Sequence, residues 1–302
     1  MDLRYVAHDD IDRQRYNSCV HYALNGRAWA YKWYLDATAR RFDVLVEGEY
    51  ESVMPLVHDT TWSGRPRLTT PVLTPALGVF SVHVLSRKRM GYFVREADAR
   101  FDVVDGLGFT GEPARGGAGE VDWAWDDRRT YRLDVDGRDY EAIAGAYDAD
   151  LLRAIARAEA RDLLVHANVK PERVAAFVAR HLPGGDRLQH PMLRVLYNAL
   201  HRGWGWTTAV TTTDGDLLAT NVFVLTHGRV ASVLPCVSPA GREAGALDLL
   251  FDYAVRQAAG RPVALDFADA DGDAARWTRF GAVPERHYVT SKATKLLGVL
   301  PL

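Results

Sequence analysis

Residues 238–255, SPAGREAGALDLLFDYAV, set a Gly/Ala-rich loop directly ahead of an apolar-periodic run. Two roles fit that order. Backbone N–H groups at a helix N-terminus bind phosphate, helped by the helix dipole, and small residues let the ligand approach. The same residues can do no more than turn the chain into a core helix, and their types leave both readings open. Arg153, Arg157 and Arg161 recur every four residues and so form one basic stripe on a helix. Such guanidinium groups can grip a diphosphate. They can equally form a solvated face balanced by Glu159 and Asp162, the more usual arrangement. Trp29, Trp33 and Tyr34 fall at helical spacing and either line a cleft between domains or, as is more usual for such spacing, fill a core.

Other chemistries are excluded by pattern. The ten histidines show no H-E-x-x-H or other metal spacing, and no G-x-S-x-G nucleophile elbow occurs, so no metal is expected. GLGFTG at 106–111 fits G-x-G-x-x-G, but the EPARGGAGE that follows cannot open a helix, so it is no dinucleotide fingerprint. Cys236 reads as strand packing rather than as a nucleophile.

The chain's 302 residues suit two domains, and its 48% hydrophobic and 25% charged content is that of a globular protein. A net charge of -2 argues against a general affinity for nucleic acid or anionic membrane. Two cysteines make neither a disulfide framework nor a thiolate zinc site and suit a reducing cytoplasm. MDLRYVAHDD lacks the basic and apolar regions of a secretion signal. No run approaches the roughly 18 apolar residues of a membrane span, so a cytoplasmic protein is expected.

The elements that would position these residues follow from periodicity. Helices are expected over 9–40, 82–97, from Asp148 or Asp150 onward, 171–182 and about 190–202. A hairpin is expected around Glu47-Gly48-Glu49, an extended stretch from Pro71 to Gly78, and strands at 100–105 and 130–136. WTTAVTTT, LLATNVFVLT and RVASVLPCV, separated by Asp214-Gly215 and His227-Gly228, predict an antiparallel meander. Leu247, Leu250, Phe251, Ala254 and Ala258 predict one face of the next helix, ended by Gly260. A strand at 262–267, a short helix through 272–280 and a strand at 286–291 close the chain.

In this order, three stretches resemble the Fem-type (FemAB-like) tandem GNAT-fold acyltransferases. They are YEAIAGAYDADLLRAIARAEARDLLV, VSPAGREAGALDLLFDYAV and LDFADADGDAARWTRFGAVPERHY. WYLDA, FDVLVEGEYESVMPLV and LGVFS look like the amino-terminal part of a bacterial GNAT-like group. The resemblance implies an α/β (α+β) protein of two GNAT-like domains, 1–128 and 129–302, with mostly antiparallel sheets flanked by helices. It implies that the tail after about 289 returns to the first domain.

Its donor-loop pattern, V-x-P-x-x-[QR]-x-x-G-x-[GA], is met by Val237, Pro239, Arg242 and Gly245 and departs at Leu247, beside Ala246. The resemblance thus assigns donor phosphate to Val237, Arg242, Gly245 and Ala246. Trp277 stands where many relatives carry an acidic Tyr, an indole being no acid. Tyr288 is the substitute acid, or a half-buried strand tyrosine. Asp266, at the strand end where the cleft would open, is the candidate base, with Asp269 and Asp271 read as turn and cap residues. Trp33, Arg153, Arg157 and Trp277 are the candidate substrate contacts. The implied reaction moves an acyl group from acyl-CoA or aminoacyl-tRNA to a small-molecule or peptide amine, the smaller donor being favoured by the net charge. Leu247 and Trp277 support the alternative, a GNAT-like protein that binds a small molecule or partner without catalysis.

Overall fold

The computed structural model describes residues 2–39, 41–110, 121–267 and 274–292. The chain divides into two compact units, residues 1–128 with 286–302, and residues 129–285.

In the first unit, β1 (Leu3–Val6) precedes α1 (Arg13–Tyr22), whose Asp12 cap accepts the N–H groups of Gln14 and Arg15. A short turn leads to α2 (Lys32–Thr38). The single helix expected across 9–40 is therefore interrupted. Asn25 holds the interruption in place by donating Nδ2 to the Val79 carbonyl at 2.8 Å, an alternative to continuing the helix. Next, β2 (Phe42–Glu47) and β3 (Ser52–Thr60) form the expected hairpin, in register from Phe42↔Val57 to Glu47↔Ser52. Then come β4 (Pro66–Thr69), β5 (Phe80–Ser81), α3 (Arg87–Asp98) and β6 (Val103–Phe109). The stretch from Pro71 to Gly78 carries only the isolated bridge Leu77↔Phe109, since Pro71 and Pro75 lack the N–H a ladder needs.

The chain leaves the first unit within β7 (Ala124–Asp134). The second unit continues with α4 (Tyr140–Ala144), α5 (Ala149–Glu159), β8 (Leu164–Ala167), α6 (Pro171–His181) and α7 (Gly185–His201). Pro191 lies inside α7, which starts earlier than its sequence suggests, after a left-handed Gly184 at φ 69°. The meander follows as β9 (Gly205–Thr211), β10 (Leu217–Thr226), β11 (Arg229–Ser232) and β12 (Cys236–Val237). His227 and Gly228, with φ of 53° and 65°, make the two-residue turn that joins Thr226 to Arg229. The chain closes with α8 (Pro239–Ala244), α9 (Ala246–Ala258), β13 (Ala264–Phe267), α10 (Ala274–Arg279) and β14 (Val283–Lys292). From Arg286, β14 belongs to the first unit, where Tyr288 pairs with Phe109 on β6.

The first unit's strands run β1-β2-β3-β4-β6-β14, and the second unit's run β7-β13-β11-β10-β9-β8. In the second unit β11 and β13 are parallel, while the pairs β7–β13, β10–β11, β9–β10 and β8–β9 are antiparallel. Leu133, Phe223, Val230, Leu265 and Phe267 share one sheet face, where they pack with Leu151 and Ile155 of α5 and Leu250, Phe251 and Val255 of α9. Full burial of a side chain such as Phe251 stabilises by about 2–3 kcal/mol before entropy is counted. The alternation that puts Leu265 and Phe267 on that face turns Asp266 to the other.

Candidate functional site

β12 hands the chain to α8 through Ser238, whose Oγ accepts the Gly241 N–H at 3.0 Å, with Pro239 in the first turn. Six residues later α8 stops at Gly245, in the left-handed conformation at φ 74°, and α9 starts at once. Because its cap is a glycine, no cap side chain accepts the first-turn N–H groups of α9. Arg242 lies exposed at the end of α8, Val237 is half-buried, and Ala246 is buried. Leu247 turns into the core rather than over the joint.

Two features weigh against anion capture there. A Cβ on Gly245 would meet the Ala154 carbonyl oxygen at 3.0 Å, so the glycine lets α5 pack closely as well as turning the chain. Asp248 already places a carboxylate in the first turn of α9, paired to Arg276 Nη1 at 2.7 Å.

The sheet changes at the same joint. The β11–β13 register ends at Ser232↔Phe267, whereas β10 goes on to pair with β12 at Thr220↔Cys236 and Ala219↔Val237. Residues 233–237 therefore run towards α8 with no β13 partner among the described residues. Cys236 is buried, and burial pushes its thiol up to about 11.

Asp266 is 3% exposed, and its Oδ2 lies 3.3 Å from Arg229 Nη1. The same guanidinium grips Glu285 at 2.6 and 2.8 Å. Burial alone would lower the Arg229 pKa, but the bonds and charge of Glu285, with Asp266, hold it above its ordinary value. The candidate base is thus one arm of a buried ion pair. Sequence reasoning missed both Arg229 and Glu285, because the β11–β13 pairing sets Arg229 beside Asp266 and Glu285 comes from β14, far along the chain.

Trp277 is buried, stacked on Phe267 at 4.4 Å and 9°, with Phe251 edge-on at 4.8 Å. Arg153 and Arg157 are exposed on α5, Arg153 paired to Asp150 three residues away. Arg161 donates to the Glu243 carbonyl at 3.2 Å. In the first unit, Trp33 is buried in α2 against Tyr34, and Tyr288 is buried in the core around Phe109. Asp269, Asp271 and residues 293–302 lie outside the described residues, as do residues 111–120. Among the described residues no three His, Cys, Asp or Glu side chains gather to hold a metal ion. No helix among them is long and apolar enough to cross a membrane.

No protein-family model matches the chain, and no curated protein matches it by sequence. Solved structures match it over nearly its whole length. FemX aligns with a TM-score of 0.63 at 9% identity, covering 96% of this chain and 97% of its own. L-PGS from Bacillus licheniformis aligns at 0.57 and 12% identity, covering 95% and 93%. A tandem GNAT protein from the clavulanic acid biosynthesis pathway aligns at 0.53 and 16% identity, covering 96% and 98%. At such identities the likeness is one of fold. The chain has a mixed α/β, GNAT/FemAB-like architecture with sheets flanked by helices, as its sequence resemblance implied.

Proposed function

We propose that this chain is a tandem GNAT-like acyltransferase that moves an acyl group from an activated donor to an amine. The carrying observation is the joint where the chain, beyond the β11–β13 register, pairs β12 with β10 and α8 passes into α9. An extended donor finds there a strand segment without a β13 partner among the described residues, a helix start capped by a glycine and the exposed Arg242, all within one short segment. Arg242, with the backbone at Gly245 and Ala246, holds the donor's phosphate. The amine nitrogen bonds to the activated carbonyl carbon, the thiolate or alkoxide departs, and the amine's proton passes to solvent or a nearby carboxylate. Positioning supplies most of the rate, since a held amine and carbonyl react as if at very high concentration. A net charge of -2 favours acyl-CoA over aminoacyl-tRNA as donor.

A second reading, a binding protein without catalysis, is favoured by one observation. Arg229 occupies the Asp266 carboxylate, so the base would have to break a buried pair to act. Release of free CoA thiol separates the two, measured with acetyl-CoA and longer acyl-CoAs over a panel of amines. Turnover that requires both acyl-CoA and amine supports transfer. Stabilisation by an acyl-CoA without turnover leaves the binding reading. A thermal shift for UDP-linked peptide precursors and none for any CoA would overturn the acyl-CoA donor.

A further inference from the structure

The second unit carries a cavity of about 320 Å³ away from the α8–α9 joint. One wall is the C-terminal half of α9, with Tyr253 and Gln257, and the other is the sheet face bearing Trp206, Thr208 and Leu225. Since α9 has 13 residues, its two ends lie about 18 Å apart. On β10 the cavity borders Leu225, whereas the donor joint pairs at Ala219 and Thr220. The two sites thus lie at opposite ends of β10 and of α9.

Its chemistry is specific. Trp206 stacks on Phe223 at 5.6 Å and 24°, which fixes the indole ring that borders the cavity. Thr208 is 1% exposed and lines the space beside Trp206, so the apolar wall carries a hydroxyl. Arg261 supplies the lining's one charge, is exposed, and forms no ion pair among the described residues. Among the described residues no acidic side chain lines the cavity.

We infer that this cavity is an accessory binding site for an aromatic monocarboxylate. The flat ring lies between Trp206 and Tyr253, a polar ring atom meets Thr208, and the carboxylate pairs with Arg261. The volume stands at the small end of ligand pockets, which suits a bicyclic ring and excludes a whole nucleotide donor. Nothing in this inference requires the chain to be a transferase.

The test is calorimetric titration of the full chain with indole-3-acetate and with its neutral amide. Saturable binding of the acid is expected, weaker by about tenfold or more for the amide and for Arg261→Gln, the loss typical of a charged hydrogen bond. Because Arg261 is exposed, that variant keeps the fold. Trp206→Leu, checked for native circular dichroism, should lose binding as well. Acyl-CoA binding, where present, should be unchanged in Arg261→Gln, which separates this site from the donor joint. No saturable binding up to millimolar acid, or equal affinity for wild type and Arg261→Gln, would overturn the inference.

Discussion

Arg229 reaches Glu285 with both Nη atoms and Asp266 with one, at the start of β11. Its side chain is 16% exposed, so the pair is screened little by water. Removing the guanidinium leaves two carboxylates without their shared cation. Arg229→Ala should therefore cost about 3–5 kcal/mol, read as a lower denaturation midpoint. An unchanged midpoint would show that the cluster is solvated.

In the first unit Asp43 accepts bonds from the Tyr5 hydroxyl, the His8 N–H and His58 Nε2. Burial raises its pKa, but these bonds outweigh burial and hold the carboxyl below its ordinary value. The sign follows from linkage. A depressed folded pKa stabilises fully above the unfolded value of about 3.9 and loses that contribution as pH falls through the folded value. Asp43→Asn should accordingly flatten the acid limb of stability measured by urea titration between neutral and acid pH. A limb as steep as wild type would remove Asp43 from the account. The thiols belong to the same scale. Burial pushes Cys19 up to about 12 and Cys236 up to about 11, so both should resist an Ellman-type reagent at pH 8 until the chain unfolds. Rapid labelling of the native chain would contradict their burial.

Among elements, the α8–α9 joint is the most demanding. Gly245 combines a left-handed backbone with an α5 carbonyl at 3.0 Å from any Cβ. Gly245→Ala should destabilise by about 1–3 kcal/mol through strain alone, whether or not a donor binds. That cost makes Gly245 a poor probe of phosphate binding and Arg242 the better one. Much of this architecture was legible in the sequence. The meander was, because β-branched runs broken by Asp214-Gly215 and His227-Gly228 admit few other folds. The apolar face of α9 was legible too, all five of its expected positions being buried, but the burial of Asp248 and Asp252 was not, since it depends on their pairing with Arg276 and Arg256. Short elements escaped notice. β1, α4 and β8 span four or five residues, too few for a period to register. α8 was hidden because PAGREA reads as a loop, and its helical form depends on the Ser238 cap and on Gly241 fitting beneath the Leu218 carbonyl.

For the whole molecule, both sequence and fold point to one architecture, while the chemistry remains local. The likeness to FemX spans the chain at 9% identity, a level at which backbone plan survives and side-chain roles need not. The candidate residues illustrate this. Motif spacing located Arg242 and Gly245 on one joint, since a local pattern depends on neighbouring positions. It could not show that Arg229 occupies Asp266, or that Trp277 is stacked into the core, because those contacts join distant parts of the chain. The central claim, that an acyl donor is held at the α8–α9 joint, is tested most directly by calorimetric titration of acetyl-CoA into wild type and Arg242→Ala. The account predicts saturable binding to wild type and a loss of about tenfold or more in the variant. No binding to wild type, or equal affinity for both proteins, would contradict it.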